Sequence, residues 1–225
     1  MMYPLTRWGL PQVAIFPAVI AAVMIAISVL FGSSPWIIPA EAVLLLVLLW
    51  TLSFFRNPSR KIIPDESVLY SPADGKVTDL STVEDEELGS MLRIGIFLSI
   101  FNVHLNRVPC SVTIERITYK KGLFKDARDP DSSRVNESNT LLIKRTANPN
   151  DMLLVRQISG AIARNIVCKV QAGDKLKQGD LFGMIKFGSR TELFLPIKDR
   201  KYDVKVKIGD PVRAGITPLV RYNHA

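Results

Sequence analysis

Cysteine and histidine are scarce in this sequence of 225 residues, which has two of each. Cys110 and Cys168 are too few for the disulfide framework of a small secreted domain, so both are expected to be reduced thiols without a function. A structural zinc site needs about four closely spaced ligands, and the sequence has no such cluster of His and Cys. No metal is therefore predicted.

Motifs for nucleic-acid binding are also missing. The chain is basic, with 29 Lys and Arg against 21 Asp and Glu and a net charge of +8. It nevertheless has no basic helix, zinc finger or aromatic ribonucleoprotein pattern, so nucleic acid is not a predicted partner. A basic domain beside a membrane is attracted instead to anionic lipid headgroups.

Charge is almost absent from the N-terminal region. The run from Pro11 to Phe31 has none, and the run from Pro35 to Phe55 has only Glu41. Each run would be roughly 30 Å long as a helix, which is enough to cross the hydrocarbon core of a bilayer. Because only residues 32–34 separate them, the two runs are predicted to form a helical hairpin with both ends on one side.

The positive charges predict which side that is. Arg7 precedes the first run, Arg56 and Arg60 follow the second, and the link between the runs is uncharged. The positive-inside rule then places everything after about residue 60 in the cytoplasm. A cleaved signal peptide fits less well, because the second apolar run would remain. A hairpin that dips into one leaflet without spanning stays open as an alternative.

These features predict two domains, a membrane-anchoring helical hairpin over residues 1–60 and a β-rich domain over residues 61–225. Short runs rich in Ile, Val, Leu and Phe dominate the second domain, separated by Gly, Pro, Asn and Asp. The predicted strands are Met91–Ile100, Ser111–Tyr119, Asn139–Arg145, Met152–Ile158, Asn165–Val170, Leu181–Lys186, Leu193–Pro196 and Asp203–Ile208. Short helical turns are predicted at Glu84–Gly89 and Ser159–Arg164. A polar loop of the kind that covers functional sites is predicted at 120–139.

An internal repeat indicates the architecture. Val170–Gly179 (VQAGDKLKQG) matches Val206–Gly215 (VKIGDPVRAG). The shared pattern V-x-x-G-D-x-[LV]-x-x-G is similar to the strand-turn-strand units of biotinyl and lipoyl carrier domains. Its glycines supply the positive φ of tight turns, and its Asp can bond nearby backbone N–H groups. The predicted fold is therefore mainly β, a barrel-sandwich domain that follows the membrane hairpin.

A few residues are candidates for chemistry when taken one by one. Ser189 follows Gly188 without the G-x-S-x-G elbow of a serine hydrolase. A glycine there permits a strained backbone that leaves its carbonyl open to the neighbouring hydroxyl. His104 follows an apolar strand and is the candidate base, whereas His224 is expected to have no role. Asp74 lies in a Pro-Ala-Asp-Gly turn, which backbone geometry alone would explain.

Three segments taken together resemble the phosphatidylserine decarboxylase family. They are Ser71–Val77 (SPADGKV), Phe101–Pro109 (FNVHLNRVP) and Phe187–Arg190 (FGSR). Further similarity lies in Phe55–Pro58, Asn136–Glu137, Arg156–Gly160 and Ala163–Arg164. The resemblance covers nearly all of residues 54–220. It is to the short form of the family, which has a compact catalytic region and an N-terminal membrane hairpin.

The resemblance implies a chain that cuts itself between Gly188 and Ser189. Ser189 would become a covalent pyruvoyl group, which is the implied cofactor and the Schiff-base site for the substrate amine. His104 is implied as an acid/base residue, and Asp74 as an acid/base or orienting residue in maturation. The products, residues 1–188 and 189–225, would stay together as a heterodimer, and higher oligomers are left open.

One position departs from the family pattern. Longer members have a second histidine three residues after the first, where it partners the Asp and Ser in self-cleavage. In this sequence that position is Arg107. Two alternatives follow. Either His104 serves both self-cleavage and decarboxylation, or maturation depends on Asp74 and backbone strain.

The implied function is pyruvoyl-dependent decarboxylation of phosphatidylserine to phosphatidylethanolamine and CO₂, on the cytoplasmic side of the inner membrane. Phosphatidylserine in an anionic membrane is the implied partner. An archaetidylserine decarboxylase would need the same site and stays open as an alternative. A membrane-anchored barrel-sandwich module that only binds is a further alternative. It is disfavoured because no Met-Lys-Met or Asp-Lys-Ala hairpin lies between the repeat halves.

Overall fold

The computed structural model describes residues 5–32, 34–129, 131–161, 165–186, 188–197 and 202–223. The chain divides into two compact units, Met1–Ser59 and Arg60–Ala225. The first is helical, and the second is built almost entirely from strands. Three parts of the sequence interpretation, at Ala163–Arg164, Phe187 and His224, lie outside the described residues.

The apolar N-terminal runs form two helices. A short 3-10 helix at Arg7–Gly9 leads into α1 (Leu10–Phe31), and α2 follows at Ile37–Phe54. Both helices are long and apolar enough to cross a membrane. The Thr6 N–H donates to the Phe55 carbonyl at 2.8 Å, so the two ends of the hairpin meet. The predicted hairpin is confirmed.

One polar contact links the two helices of the hairpin. Glu41, the acidic residue of the second apolar run, accepts a hydrogen bond from the Ser28 hydroxyl at 2.5 Å. Pro17 lies inside α1 without ending it. A proline removes one helical hydrogen bond, and neighbouring helices make that loss tolerable in apolar surroundings.

Fourteen strands are present among the described residues of the second unit. They are β1 (Val68–Tyr70), β2 (Gly75–Asp85), β3 (Gly89–Leu98), β4 (Leu105–Arg107), β5 (Val112–Lys120), β6 (Ser138–Arg145), β7 (Met152–Ile158), β8 (Ile166–Cys168), β9 (Lys175–Leu176), β10 (Leu181–Ile185), β11 (Ser189–Pro196), β12 (Tyr202–Val204), β13 (Pro211–Val212) and β14 (Pro218–Tyr222). One short helix, α3 (Ser132–Val135), lies in the loop between β5 and β6.

The strands form three antiparallel sheets around one core. Eight of them make a curled sheet in the order β13-β2-β3-β11-β7-β6-β5-β9, and the other two sheets are β4-β10-β8 and β1-β14-β12. Apolar side chains from all three sheets share a core that includes Leu193, Phe182 and Leu219. Such burial supplies the main driving force for folding. The prediction of a mainly β domain after a helical hairpin is confirmed.

The two repeat copies lie at opposite edges of the large sheet. β9, in the first copy, pairs with β5, and β13, in the second copy, pairs with β2. Gly173 and Gly209 have φ of 91° and 101°, in the region that favours glycine. Asp174 and Asp210 each accept a hydrogen bond at 2.9 Å from the backbone N–H three residues earlier. The predicted turn chemistry of the repeat is confirmed.

The predicted helical turn at Glu84–Gly89 is wrong. Residues 84–89 are the end of β2, a tight turn and the start of β3. Of the other predicted turn, Ser159–Arg164, residues 162–164 lie outside the described residues. Ser159 and Gly160 are not helical, and the Ser159 N–H donates to the Glu137 carbonyl at 2.9 Å. This bond extends the ladder between β6 and β7 by one residue, because Ser138 already pairs with Ile158. Pairing with a neighbouring strand thus overrides the local sequence preference.

Both cysteines are free. Cys110 is buried in the core, and burial raises the pKa of its thiol to about 12. The thiol therefore stays protonated at neutral pH, which makes it a poor nucleophile.

Candidate active site

Backbone hydrogen bonds bring the three sequence motifs together. The Arg107 N–H donates to the Pro72 carbonyl at 2.9 Å, which joins the second motif to the first. The Ile185 N–H donates to the His104 carbonyl at 3.2 Å, which joins the second motif to the strand that leads toward Ser189. Segments far apart in the sequence thus meet at one end of the second unit.

The register of the large sheet leads to the same end. Lys76, Phe97 and Arg190 are neighbours across β2, β3 and β11. Adjacent strands lie about 4.8 Å apart, so two strand spacings separate the start of β2 from the start of β11 by roughly 10 Å. Asp74 directly precedes β2, and Ser189 begins β11. The two residues therefore lie at the same end of the sheet.

Ser189 is a buried hydroxyl at the start of a central strand. Its side chain is 0% exposed, and among the described residues its Oγ has no hydrogen-bond partner. The preceding Gly188 has φ of 62°, a conformation that glycine adopts without steric cost. Buried polar groups are nearly always hydrogen-bonded, so the state of this hydroxyl needs a functional explanation.

His104 is fully buried and its ring orientation is set by a backbone carbonyl. The ring Nδ1 lies 3.0 Å from the Asn102 carbonyl oxygen and donates to it. In the neutral ring this leaves the lone pair on Nε2, which is what a general base requires. Asn102 is itself held by Ser99, whose N–H and hydroxyl donate to its side-chain oxygen at 2.9 and 2.8 Å.

Asp74 is held by a guanidinium and a backbone amide. The Arg60 side chain donates to both carboxylate oxygens, at 2.6 and 2.7 Å, and the Ala214 N–H donates to Oδ1 at 2.8 Å. Paired bonds between a guanidinium and a carboxylate fix the orientation of both groups. Asp74 thus ties the first motif to the second repeat copy, which contains Ala214.

Arg107 occupies the position where longer family members have a histidine, and its side chain makes a hydrogen bond to the backbone. Its buried side chain donates to the Gly179 carbonyl at 2.7 Å. Burial lowers the pKa of the Arg107 guanidinium below its ordinary value, and the nearby Arg60 cation lowers it further. A guanidinium nevertheless remains protonated in proteins, so Arg107 cannot act as a base.

A network of buried polar side chains lies next to Ser189. The Asn106 amide donates to the Thr191 hydroxyl at 3.0 Å and accepts from the Gln157 amide at 2.9 Å. The Asn139 amide donates in turn to Gln157 at 3.2 Å. Hydrogen-bonded networks of this kind fix side chains in a low-dielectric interior. This network makes the inner surface behind Ser189 polar and rigid.

A cavity of about 380 Å³ opens beside Gly188. Its walls are Phe97, Ser99, Ile100, Asp126, Ala127, Arg128, Ala161 and Gly188. The polar loop of residues 121–137 therefore supplies one wall. Asn136 holds that loop against the residue that follows β7, because its amide donates to the Lys125 and Ser159 carbonyls at 2.8 Å each.

Comparison with known proteins identifies the family. The family model for phosphatidylserine decarboxylase matches residues 47–219. The chain belongs to this family. The similarity of the three motifs to phosphatidylserine decarboxylases is thereby confirmed, together with the prediction of an enzyme of that class.

Individual relatives match over most of their length. A phosphatidylserine decarboxylase proenzyme of Rhodopirellula baltica is 37% identical over 220 residues, which cover 97% of this chain and 88% of the relative. Proteins with the same description in Trichlorobacter lovleyi and Carboxydothermus hydrogenoformans are 42% and 46% identical, over 194 and 178 residues. Those matches cover 86% and 78% of this chain, and 86% and 81% of the relatives.

In this phosphatidylserine decarboxylase family member, several residues of the site have no distinctive sequence signal. Arg60 donates hydrogen bonds to both carboxylate oxygens of Asp74. From the sequence alone, Arg60 is only one of the positive charges that predict membrane topology. Ser159 and Gly160 lie in the segment Arg156–Gly160, which is similar to the family. The sequence does not indicate what role that segment has. Their position depends on which strands pair, which no local pattern indicates.

Proposed function

We propose that this chain is a proenzyme that cuts itself between Gly188 and Ser189 and then decarboxylates phosphatidylserine to phosphatidylethanolamine and CO₂. The observation that carries the proposal is that backbone bonds join the motif-bearing segments at one end of the second unit, where the buried Ser189 hydroxyl has no hydrogen-bond partner among the described residues. Family membership and the description of relatives as phosphatidylserine decarboxylase proenzymes support it.

Self-cleavage needs a nucleophile, an open carbonyl and a base. Ser189 Oγ attacks the Gly188 carbonyl carbon, the peptide C–N bond breaks, and the hydroxyl proton passes to the amide nitrogen, which gives an ester. Loss of the Ser189 Cα proton and of the Cβ–Oγ bond then leaves a Gly188 carboxylate and a dehydroalanine. The dehydroalanine takes up water and releases ammonia to give the pyruvoyl end. His104 is the proposed base for both proton removals.

The same residues suit the decarboxylation step. A pyruvoyl group at position 189 would supply an electron sink for the electrons of the Cα–CO₂ bond. His104 delivers a proton to the substrate Cα after CO₂ leaves. Asp74 has an orienting role, because Arg60 and the Ala214 N–H occupy its carboxylate. The buried surroundings exclude water from the reacting atoms.

The cavity beside Gly188 is the proposed site for the serine headgroup, and the loop of residues 121–137 would enclose it. The two apolar helices would anchor the enzyme in the inner membrane, with the second unit on its cytoplasmic side. The net charge of +8 favours a surface rich in anionic lipid, where the substrate resides.

Intact mass spectrometry of the purified protein tests the proposal. We expect two chains, residues 1–188 and 189–225, whose summed mass equals that of the uncut chain plus one water minus one ammonia. The purified protein should also release CO₂ from phosphatidylserine in mixed micelles. A single 25.1 kDa chain in active protein would contradict the mechanism. Activity on archaetidylserine but not on phosphatidylserine would contradict the substrate.

Replacement of Gly160 by alanine is expected to slow self-cleavage by about 100-fold. A Cβ at this position would lie 2.3 Å from the Gly188 carbonyl oxygen and 3.1 Å from its carbon. The added methyl group must therefore displace the carbonyl that Ser189 attacks. The measurement is the uncut fraction over time after synthesis, read from intact mass.

The matched control for this variant is Gly183→Ala. A Cβ at Gly183 would meet the Val167 carbonyl oxygen, also at 2.3 Å, in the sheet that contains β10. Both variants introduce similar backbone strain, and Gly183→Ala also presses on the Gln157 amide, but only Gly160→Ala places the strain on the Gly188 carbonyl. Equal slowing in the two variants would mean that strain in general, and not displacement of this carbonyl, limits cleavage.

A further inference from the structure

A second buried serine lies directly opposite Ser189. β7 and β11 pair with Ile158 opposite Arg190 and Gln157 opposite Thr191. Continuing this antiparallel register by one residue places Ser159 opposite Ser189. The contact between Gly160 and the Gly188 carbonyl, one residue further, indicates that the register persists there.

The two serine side chains point to the same face of the sheet. Asn106 bonds both Gln157 and Thr191, so those two side chains project toward one side. Side chains two residues apart in a strand share a face, which puts Ser159 and Ser189 on that side as well. Directly opposed residues have Cβ atoms about 4.5–5.5 Å apart, close enough for their hydroxyls to meet by side-chain rotation.

Ser159 and Ser189 share an unusual environment. Both are 0% exposed, and within the described part of the chain neither hydroxyl has a hydrogen-bond partner. The backbone of Ser159 is fixed on two sides, because its N–H donates to the Glu137 carbonyl and its own carbonyl accepts from the Asn136 amide. The hydroxyl is therefore the part of Ser159 that remains available, and its opposed neighbour is the Ser189 hydroxyl.

We propose that Ser159 is a positioning residue for self-cleavage, an inference that rests on the proposed function. Its hydroxyl donates a hydrogen bond to Ser189 Oγ, which orients the other lone pair of Oγ toward the Gly188 carbonyl carbon and leaves the Ser189 O–H available to His104. Attack then forms the Oγ–C bond and breaks the Gly188 C–N bond, with the proton passing to the amide nitrogen. Ser159 is unchanged at the end. Its contribution is a reactive orientation of the nucleophile.

The test is the rate of self-cleavage in Ser159→Ala, followed by intact mass in full-length protein made by cell-free synthesis into lipid nanodiscs. We expect cleavage to slow by about 10- to 100-fold. Ser159→Thr keeps a hydroxyl at the same place and is expected to cleave within about threefold of wild type. Ser138→Ala is the matched control, because Ser138 is a buried serine opposite Ile158 on the other face, and it should cleave at the wild-type rate.

The outcomes separate this inference from the proposed function. An uncut wild-type chain would overturn self-cleavage itself. A wild type that cuts while Ser159→Ala cuts equally fast would overturn only the role of Ser159. Cleavage in Ser159→Thr as slow as in Ser159→Ala would do the same, because the hydroxyl would then not be what matters.

Treatment with hydroxylamine shows whether Ser159 acts in ester formation, the first step of self-cleavage, or only in a later step. It cleaves an ester and would leave a Gly188 hydroxamate wherever the acyl shift has occurred. Uncut Ser159→Ala protein is expected to resist hydroxylamine, because the ester does not accumulate. Rapid hydroxylamine cleavage at Gly188 in this variant would mean that the ester forms without Ser159, which would overturn the inference.

Discussion

Replacement of Ser189 by alanine is expected to leave one uncut chain of 25.1 kDa with no measurable decarboxylation. The variant lacks the Oγ that is proposed to attack the Gly188 carbonyl, so neither the ester nor the pyruvoyl group could form. The change removes a hydroxyl that has no hydrogen-bond partner among the described residues, so the folded state is expected to keep its stability. Intact mass and CO₂ release from phosphatidylserine are the measurements.

Thr191→Ala is the matched control for this variant. Thr191 is a buried hydroxyl residue on the same strand and the same face as Ser189, two positions away. Its loss removes one hydrogen bond from Asn106 and leaves the proposed nucleophile in place. This control should still be cut. Decarboxylation by uncut Ser189→Ala protein would show that the activity does not depend on the proposed chemistry.

Replacement of His104 by glutamine is expected to reduce decarboxylation per pyruvoyl group by about 1,000-fold, within the range for loss of a general acid or base. The ring is buried and oriented by the Asn102 carbonyl, so water has little access to replace its proton. Arg107 cannot substitute, since its guanidinium stays protonated. The measurement is CO₂ release divided by the amount of cleaved chain.

The same variant separates the two alternatives for maturation. We expect its self-cleavage to be slowed as well, which would assign both steps to His104. Rapid cleavage with decarboxylation lost would assign maturation to Asp74 and backbone strain. His224→Gln is the matched control and should retain both activities. More than about one tenth of wild-type decarboxylation in His104→Gln would exclude His104 as the essential acid, given the usual size of such effects.

The sequence alone predicts those features that depend on local pattern. The bounds of β7 agree with the prediction from its apolar residues, and the turns of the repeat follow from their glycines and aspartates. β2, from Gly75 to Asp85, is not predicted from the sequence, although it is the longest strand described. A register irregularity between Val77 and Asp79 interrupts the alternation of apolar and polar residues that marks a strand.

The parts of the candidate site that remain hidden in the sequence depend on long-range pairing. Motif similarity identifies Asp74, His104 and Ser189, because each lies in a distinctive short segment. Arg60 and Ser159 have no such segment around them that indicates a role. Arg60 contacts Asp74 through the tertiary fold, and Ser159 lies opposite Ser189 because β7 is the neighbour of β11. Such neighbours are set by topology, which local propensity does not encode.

The position of β11 has a consequence for the matured enzyme. The proposed cleavage at Gly188 would sever the chain next to a strand that is bonded on both sides, by β3 and by β7. The fragment that begins there also supplies β13, bonded to β2, and β14, bonded to β1. It could pass from one folded molecule to another only if all of these strand pairings broke. If the chain matures as proposed, each enzyme molecule is assembled once, from a single polypeptide, and we expect two matured populations that are mixed to form no hybrids.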